Sequence, residues 1–478
     1  MPEIQFFMEE IMQVTITTNN NSRIIDVPAT ESDLYKEVGK MLLDIDIPNS
    51  MHVTTPVGEA DYEITKRGTF TKDGKKMPSM YVKESRNSIL LPPDSYKEAY
   101  LTCINPESNN YKFYHFKPNG LDLEATYGRI GSQRGDAFGV KDLQTPYPIH
   151  MYWIRYYEKL SKGYKDESDI YLAPKVQTAQ PSVKDSDIAT ELYDILYQYA
   201  KGMVRKHLTN SDNVTVEQVR QSKAILNHLT ELKTVKAFNT HLQKLLTISP
   251  RKTRYVTQLL ANSPSDFQSI IDRESDLITA MEAVHIGAIG SFAENHIEVY
   301  EATASQKQEV IEHLIPSLQS KVKRIWRVIP QKQQKMFNTY CKENHIRYVR
   351  QMWHGSRNAN WLSIVENSLK ISSNVANGRM FGDGAYFALD PMKSFGYTSS
   401  KYAKWTHENE DSVYMGLFAV AYGKPKFVST AHKYTQRDLL TEHKNCVHAQ
   451  AGSSLRADEI IFYSEKAMVM NYLVEFSA

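Results

Sequence analysis

The chain has 478 residues, 41% of them hydrophobic, which is enough to bury at least two substantial cores and favours a multi-domain protein. Lys plus Arg number 57 and Asp plus Glu number 55, so the net charge alone predicts neither a nucleic-acid nor a membrane partner. The cysteines, Cys103, Cys341 and Cys446, are too far apart for a zinc knuckle and too few for a disulfide framework, which favours a reducing compartment. The N-terminus has no basic charge ahead of an apolar run, and no run of about 18 apolar residues occurs, so we expect neither a secretion signal nor a membrane span.

The first third of the chain is rich in β-type patterns. Residues 1–95 predict mixed short elements, with a β-rich segment at 13–18 and an amphipathic helix at 31–43, and their function is unassigned. From about residue 99 to residue 172 the aromatic content rises. Aromatic runs separated by PNG and GSQRG turns predict a small antiparallel sheet there. The runs are YKFYHF (111–116), YGRIG (127–131) and MYWIRYY (151–157).

A change of pattern follows the polar stretch TAQPSVKDSD (178–187), which predicts a linker. Apolar residues then recur at helical spacing, and two capping-box patterns, Thr215 with Gln218 and Ser265 with Gln268, precede apolar runs. Residues 187–285 therefore predict an all-α bundle. We interpret its apolar stripes as packing core rather than cofactor contacts.

Beyond about residue 290 the pattern becomes α/β again. The segment MGLFAVAY (415–422) is apolar at both alternating sets of positions, which predicts a strand in the centre of a buried sheet. The other β-prone segments are WRVI (326–329), RYVRQMW (347–353) and EIIFYS (459–464).

Three segments of this last region combine residue types that bind ligands. WHGSR (353–357) places His354 at a strand end, beside a glycine that lets a backbone approach a ligand closely. In MFGDGAYFALDPMKSFGYTSS (380–400) a Gly-rich turn leads into Tyr386, and ADEIIFYSE (457–465) places Glu459 at the start of an apolar strand.

Each segment alone has a structural explanation, namely a satisfied histidine, an ordinary turn, a core tyrosine or a solvated strand end. The Gly-rich turn is not a dinucleotide fingerprint, because Phe387 stands where the third glycine is needed. The lack of clustered ligands also argues against a zinc enzyme.

Taken together and in this order, with SLKI (368–371) and MGLFAVAYGKP between them, the segments resemble the catalytic domain of the poly(ADP-ribose) polymerase family over about residues 290–478. The resemblance implies cleavage of the nicotinamide–ribose bond of NAD⁺ and transfer of ADP-ribose to an acceptor, with Glu459, His354 and Tyr386 as catalytic residues. Nicotinamide leaves as a neutral molecule, so one carboxylate suffices, unlike ordinary glycoside hydrolysis. Glu459 would hydrogen-bond the ribose 2′-OH and stabilise the oxocarbenium-like transition state.

The resemblance also implies a set of contacts to NAD⁺. Gly355 and Ser394 would hold the carboxamide, Tyr397 and Tyr386 would stack on the pyridinium ring, and His354 with Ser356 would contact the adenosine ribose. Lys370 and Arg379 stand on the adenosine side, where members of the family often carry other residues. Lys393 and Met380 would contact the acceptor.

The preceding regions resemble two partner domains of the same family. Residues 99–172 resemble the WGR domain through INPESNNYKFYHF, YGRIG and KGYKDES, with Tyr127 at the position of the name-giving Trp. This implies binding of broken DNA ends through phosphate contacts, although Arg129 could equally be a structural hydrogen-bonder in a protein-binding module. The bundle is similar to the regulatory helical domain that blocks NAD⁺ access until DNA binds. The candidate DNA contacts are Tyr127, Arg129, Lys112, Arg134 and Lys141.

The sequence thus predicts a multi-domain chain of α/β and α class. It comprises a region of unassigned function (1–95), a small β-rich WGR-like DNA-binding domain (96–177), a regulatory helical domain (178–289) and an ADP-ribosyltransferase domain with a mixed or antiparallel sheet (290–478). We expect NAD⁺ as co-substrate, no metal, DNA strand breaks and protein acceptors, including the chain itself, as partners, and no membrane. An intracellular location follows, nuclear in a eukaryote and cytoplasmic in a bacterium. The alternatives are a mono-ADP-ribosyltransferase of the same fold and a non-enzymatic DNA-end or nucleotide-binding protein.

Overall fold

The computed structural model divides the chain into two compact units, which are described separately. Unit 1 comprises Met1–Pro174 with Lys252–Leu259, and unit 2 comprises Lys175–Arg251 with Leu260–Ala478. The structure describes residues 11–18, 22–28, 50–55, 58–72, 75–87, 96–105, 109–130, 132, 139–173, 185–209, 211, 214–286, 291–371, 380–403, 408–452 and 454–478.

Unit 1 begins with an antiparallel sheet of five strands in the order β2-β1-β3-β4-β5. The β-rich segment predicted at 13–18 is confirmed as part of the first strand, whereas the helix predicted at 31–43 lies outside the described residues. The strands are β1 (Ile11–Thr18), β2 (Ser22–Pro28), β3 (Ser50–Thr55), β4 (Gly58–Lys72) and β5 (Lys75–Asn87).

A second antiparallel sheet in unit 1 has the order β10-β8-β7-β6-β11, with β9 paired to β8. The predicted aromatic sheet is confirmed over 111–116 and 127–129. Its strands are β6 (Ala99–Asn105), β7 (Asn110–Asn119), β8 (Asp122–Arg129), β9 (Lys141–Asp142), β10 (Tyr147–Pro148) and β11 (Lys165–Asp166), and two helices accompany them, α1 (Tyr152–Ser161) and α2 (Ser168–Tyr171).

The prediction of a β-type run at MYWIRYY (151–157) is wrong, because most of this segment belongs to α1. Its most deeply buried side chains are Tyr152, Arg155 and Glu158, which are three residues apart and so share one face of a helix. Arg155 Nη1 lies 2.7 Å from Glu158 Oε2, so the helix buries an ion pair that a strand would place on opposite faces. The aromatic content of this segment predicted a strand, but its buried side chains recur every three residues, as in a helix.

Unit 2 begins with four long helices, as the periodicity predicts. Thr215 and Gln218 form the predicted capping box, in which the side-chain oxygen of each residue accepts a hydrogen bond from the backbone N–H of the other. The second predicted cap is displaced, because Asp266 rather than Gln268 accepts from the backbone N–H of Ser263, at 2.9 Å, and Pro264 suits the first turn of a helix. The helices are α3 (Asp187–His207), α4 (Val216–Leu229), α5 (Val235–Ile248) and α6 (Phe267–Ile286).

The remainder of unit 2 is mixed α/β, with one sheet ordered β12-β13-β20-β16-β14 and another ordered β15-β19-β18-β17. All pairings are antiparallel except that of β17 with β18. The strands are β12 (Ile297–Glu301), β13 (Val322–Pro330), β14 (Arg350–Gly355), β15 (Ala385–Phe387), β16 (Ser412–Val420), β17 (Pro425–Val428), β18 (Cys446–Ala449), β19 (Glu459–Phe462) and β20 (Met468–Ser477). The helices are α7 (Ala304–Glu312), α8 (Pro316–Gln319), α9 (Gln331–Glu343), α10 (Trp361–Asn367), α11 (Pro391–Phe395) and α12 (Gln436–Thr441).

The prediction for MGLFAVAY is confirmed, because β16 pairs with both β14 and β20 and is buried on both faces. The two sheets meet at Trp353 and Ala388, whose backbones exchange hydrogen bonds of 3.2 and 3.1 Å. The end of β14 and the start of β19 are thereby brought to the same side of the domain. Across the described residues, none of the helices is long and apolar enough to span a bilayer.

Candidate active site

A cavity of about 510 Å³ lies in unit 2, and the three segments singled out in the sequence converge on it. Helices α4 and α6 close the cavity on another side, so the bundle and the α/β part build it together. The sequence-predicted residues that line it are His354, Gly355, Ser356, Lys370, Tyr386, Lys393, Ser394, Tyr397 and Glu459.

The remaining predicted residues of the site are Met380 and Arg379. Met380 is 37% exposed beside the Gly-rich turn and does not line the cavity. Arg379 lies outside the described residues.

His354 stands at the end of β14 and is held by the neighbouring strand β15. Its Nδ1 lies 2.9 Å from the backbone oxygen of Tyr386. Because a carbonyl oxygen only accepts, Nδ1 carries the proton and Nε2 is the acceptor nitrogen. Burial lowers the pKa of His354 below its usual value, so the imidazole is neutral at physiological pH.

Position 355 requires a glycine, because the backbone of Ser394 occupies the space that a side chain would take. A Cβ built at Gly355 would lie 1.8 Å from the carbonyl oxygen of Ser394 in α11. Glycine therefore lets α11 pack against the end of β14. The hydroxyl of Ser394 donates to the backbone oxygen of Trp353 at 3.0 Å, which joins the same two elements a second time.

Two tyrosines of the segment 380–400 line the cavity, Tyr386 in β15 and Tyr397 just after α11. The Tyr386 hydroxyl donates to the backbone oxygen of Gly382 at 2.9 Å, which anchors the ring to the Gly-rich turn. Burial, followed by the nearby Glu459 carboxylate, raises the pKa of Tyr397 to about 12. Tyr397 thus presents a neutral ring to the cavity.

Glu459 is the first residue of β19 and is only 8% exposed. Its Oε1 lies 2.9 Å from Nζ of Lys393, whose ammonium also donates to the backbone oxygen of Ala457 at 2.7 Å. The other oxygen, Oε2, is buried and has no hydrogen-bond donor among the described residues. A buried carboxylate oxygen without a donor is costly. The site is therefore arranged to receive a hydrogen-bond donor from a bound molecule.

The cavity also contains charged contacts that the sequence patterns did not reveal. Asp276 of α6 lies 3.0 Å from Nη1 of Arg357, the residue that completes WHGSR, and it accepts from Nδ2 of Asn360 at 3.1 Å. Lys393, predicted to contact the acceptor, also pairs with Glu459. These pairs join residues more than 60 positions apart, so no local pattern could have identified them. Lys370 is an exposed side chain whose ammonium lies 3.1 Å from Glu465.

The candidate DNA contacts lie in unit 1, on or beside the β7–β8 hairpin. Lys112 and Lys141 are exposed, and the ring of Tyr127 stacks on Tyr114 with centroids 5.3 Å apart. Arg129 donates to the backbone oxygen of Asn109 at 3.0 Å and to that of Arg254 at 2.7 Å, so part of its guanidinium is engaged in structural hydrogen bonds. Arg134 lies outside the described residues.

Comparison with known proteins defines the class of this domain. Residues 301–478 match the family described as the poly(ADP-ribose) polymerase catalytic domain. This part of the chain is therefore similar to the catalytic domain of that family, whose members are ADP-ribosyltransferases that use NAD⁺ as substrate. Over the parts of the chain that the structure covers, no cluster of three or more His, Cys, Asp or Glu side chains could hold a metal ion.

Individual relatives carry the same description. The chain is 26% identical over 182 residues to a putative poly [ADP-ribose] polymerase-like protein, 100L, of Invertebrate iridescent virus 6, which covers 35% of this chain and 93% of the viral protein. It is 28% identical over 144 residues to poly [ADP-ribose] polymerase 2 of Caenorhabditis elegans, covering 26% of this chain and 27% of that protein. It is 24% identical over 221 residues to the C. elegans poly [ADP-ribose] polymerase tankyrase, covering 45% of this chain and 8% of that protein.

Proposed function

We propose that the chain is an NAD⁺-dependent protein ADP-ribosyltransferase that builds poly(ADP-ribose) and is activated by DNA breaks. The observation that supports the chemistry is the buried Oε2 of Glu459, which lines the cavity and has no donor within the described residues. A ribose hydroxyl would supply that donor. Lys393 would orient the carboxylate through their ion pair.

In the proposed reaction, the bond between C1′ of the ribose and the pyridinium nitrogen breaks, and its electron pair goes to the ring, so nicotinamide leaves neutral. The acceptor oxygen then bonds to C1′, and its proton passes to Glu459 or to solvent. A carboxylate placed beside the positive charge that develops on the ribose stabilises the transition state more than the ground state. Neutral His354 would accept a hydrogen bond from a ribose hydroxyl through Nε2.

The nicotinamide end would lie between α11 and the end of β14. The Gly355 backbone and the Ser394 hydroxyl would bind the carboxamide, for which Ser394 must release the Trp353 oxygen. The rings of Tyr386 and Tyr397 would face the pyridinium, a contact worth about 0.5–2 kcal/mol. Lys370, Ser356 and Arg379 are proposed on the adenosine side, and Met380 toward the acceptor.

DNA control is proposed because the bundle contributes to the cavity. Asp276 of α6 holds Arg357, the last residue of WHGSR, so a bundle in this position restricts the space that NAD⁺ would enter. We propose that DNA ends bind the WGR-like part of unit 1 through Lys112, Lys141 and Tyr127, and that binding shifts the population toward a loosened bundle.

The test is incorporation of labelled NAD⁺ by the purified wild-type chain and by Glu459→Gln, with and without nicked or blunt-ended DNA. We expect DNA-stimulated ladders from the wild type, and a loss of turnover with little change in KM for NAD⁺ in the variant. An absence of incorporation by the wild type in every condition would refute the transferase. Single additions would establish mono-ADP-ribosylation instead, and equal rates with and without DNA would remove the proposed control.

A further inference from the structure

A chain of hydrogen bonds ends at Asp458, the residue directly before Glu459. The Tyr422 hydroxyl lies 2.6 Å from Nδ1 of His448, and Nε2 of His448 lies 2.8 Å from Oδ2 of Asp458. Oδ1 of Asp458 accepts from the backbone N–H of Ala451 at 2.7 Å. Tyr422 and His448 are each only 6% exposed.

The direction of each hydrogen bond follows from the groups involved. The Asp458 carboxylate only accepts, so Nε2 of His448 donates to it, and Nδ1 is then the acceptor for the Tyr422 hydroxyl. Backbone and side-chain hydrogen bonds to the ionised form, led by that of Ala451, lower the pKa of Asp458. Tyr422, His448 and Asp458 therefore each have a hydrogen-bond partner.

The register of β18 against β19 places these hydrogen bonds next to the candidate active site. Ala449 of β18 pairs with Glu459, and His448 pairs with Ile460. Side chains alternate along a strand, so Asp458 and His448 share the face opposite that of Glu459. Lys393 acts on the other side, donating to Ala457 and pairing with Glu459. Residues 457–459 are thus held from both faces.

From this arrangement we infer that His448 and Asp458 are positioning residues, which fix the start of β19 and so set the direction of the Glu459 carboxylate toward the substrate. This inference rests on the proposed function for its catalytic consequence. Neither residue lines the cavity, so neither is expected to contact NAD⁺.

The experiment compares full-length Asp458→Ala, Asp458→Asn and His448→Ala. A displacement of about 1 Å at a catalytic group costs up to about 100-fold, so Asp458→Ala is expected to lose 10- to 100-fold in kcat, with KM for NAD⁺ within about threefold of wild type. His448→Ala is expected to follow it. Asp458→Asn is expected to restore activity to within about threefold, because its amide oxygen can accept from Ala451 while its NH₂ donates to the other tautomer of His448.

Asp438→Ala is the matched control, since Asp438, like Asp458, accepts from one backbone N–H and one side-chain donor, here both of Thr435, but lies in the capping box of the exposed helix α12. A kcat of Asp458→Ala within about threefold of wild type would overturn the inference, as would an equal loss in Asp458→Asn or Asp438→Ala, or a change confined to KM.

Crystal structures of the Asp458 variants test the positioning role independently of the proposed transferase activity. We expect the contact between Lys393 Nζ and Glu459 Oε1 to be lost in Asp458→Ala and kept in Asp458→Asn. An unchanged contact in Asp458→Ala would overturn the positioning role even if the wild type proved inactive. Inactivity of the wild type with the expected structural change would refute only the transferase.

Discussion

At the scale of single residues, the candidate site depends on one carboxylate, that of Glu459, whose two oxygens have different surroundings. Lys393 engages Oε1 of Glu459, while Oε2 has no donor within the described part of the chain. Both side chains are largely buried, at 18% exposure for Lys393 and 10% for Glu459. Removing one partner of such a pair leaves an uncompensated charge, so the pair is more sensitive to mutation than a surface ion pair.

Lys393→Met is therefore expected to lower kcat by 10-fold or more and the free energy of unfolding by at least about 1 kcal/mol. Steady-state kinetics and urea denaturation measure the two effects. Lys426→Met is the control, because Lys426 pairs with the more exposed Glu442 away from the cavity, and this substitution is expected to destabilise the protein less. Equal effects of both substitutions would contradict a special role for the buried pair.

A second residue predicts how stability depends on pH. Glu366 in α10 is 8% exposed, and burial, with nearby Glu282, raises its pKa to about 8. The folded protein therefore favours the neutral acid. This contribution to stability is complete below the unfolded value of 4.5 and is lost as the pH rises through about 8.

Glu366→Gln keeps the shape of the neutral carboxylic acid and removes its ionisable proton. Its Tm relative to that of the wild type is expected to rise steadily between pH 5 and pH 9, as measured by calorimetry at fixed ionic strength. Glu312→Gln, an exposed carboxylate in α7, should show no such trend. A constant difference for Glu366→Gln across this range would refute the raised pKa.

At the scale of elements, the site is built where α11 meets the end of β14. The backbones of Gly355 and Ser394 approach so closely that any side chain at position 355 must displace α11. That helix carries Lys393 and Ser394 and precedes Tyr397, so its position sets three of the cavity-lining side chains.

Gly355→Ala is expected to raise KM for NAD⁺ at least about 10-fold and to lower Tm, because overpacking costs about 1–3 kcal/mol. Gly202→Ala in α3 is the matched control. A Cβ there meets nothing within 4 Å, and alanine is preferred in a helix, so it is expected to stabilise by about 0.5–1 kcal/mol. Equal changes of Tm and of KM for NAD⁺ in the two variants would show that close packing at Gly355 does not shape the site.

At the scale of the whole molecule, the bundle and the α/β part of unit 2 share ion pairs. Glu191 of α3 lies 2.5 Å from Arg324 of β13, and Asp276 of α6 lies 3.0 Å from Arg357. Only the second contact borders the cavity. Burial raises the pKa of Asp276 while Arg357 opposes that shift, so the carboxylate depends on its partner.

Asp276→Asn removes this charge with little change of shape. If the bundle restricts access, activity without DNA is expected to rise about 5-fold or more, while the DNA-stimulated rate stays the same. Labelled-NAD⁺ assays measure both rates. Asp194→Asn, an exposed position of α3, is the control and should change neither rate. A lower or unchanged DNA-free rate in Asp276→Asn would contradict the restriction.

Local patterns in the sequence determined much of the fold. Alternation and apolar runs located β16 and β19, and the Thr215–Gln218 pattern located the start of α4, because strand burial and helix capping depend on residues within a few positions of each other. The order of the motifs also led to the residues that line the cavity.

Tertiary structure decided what depends on distant partners. MYWIRYY lies mostly in a helix because the buried side chains of that helix recur every three residues. Lys393 forms a buried ion pair with Glu459. The approach of Asp276 to Arg357 and the chain from Tyr422 through His448 to Asp458 join different elements. Composition and periodicity describe one element at a time, whereas the energy of a buried polar group depends on the neighbour that folding brings to it.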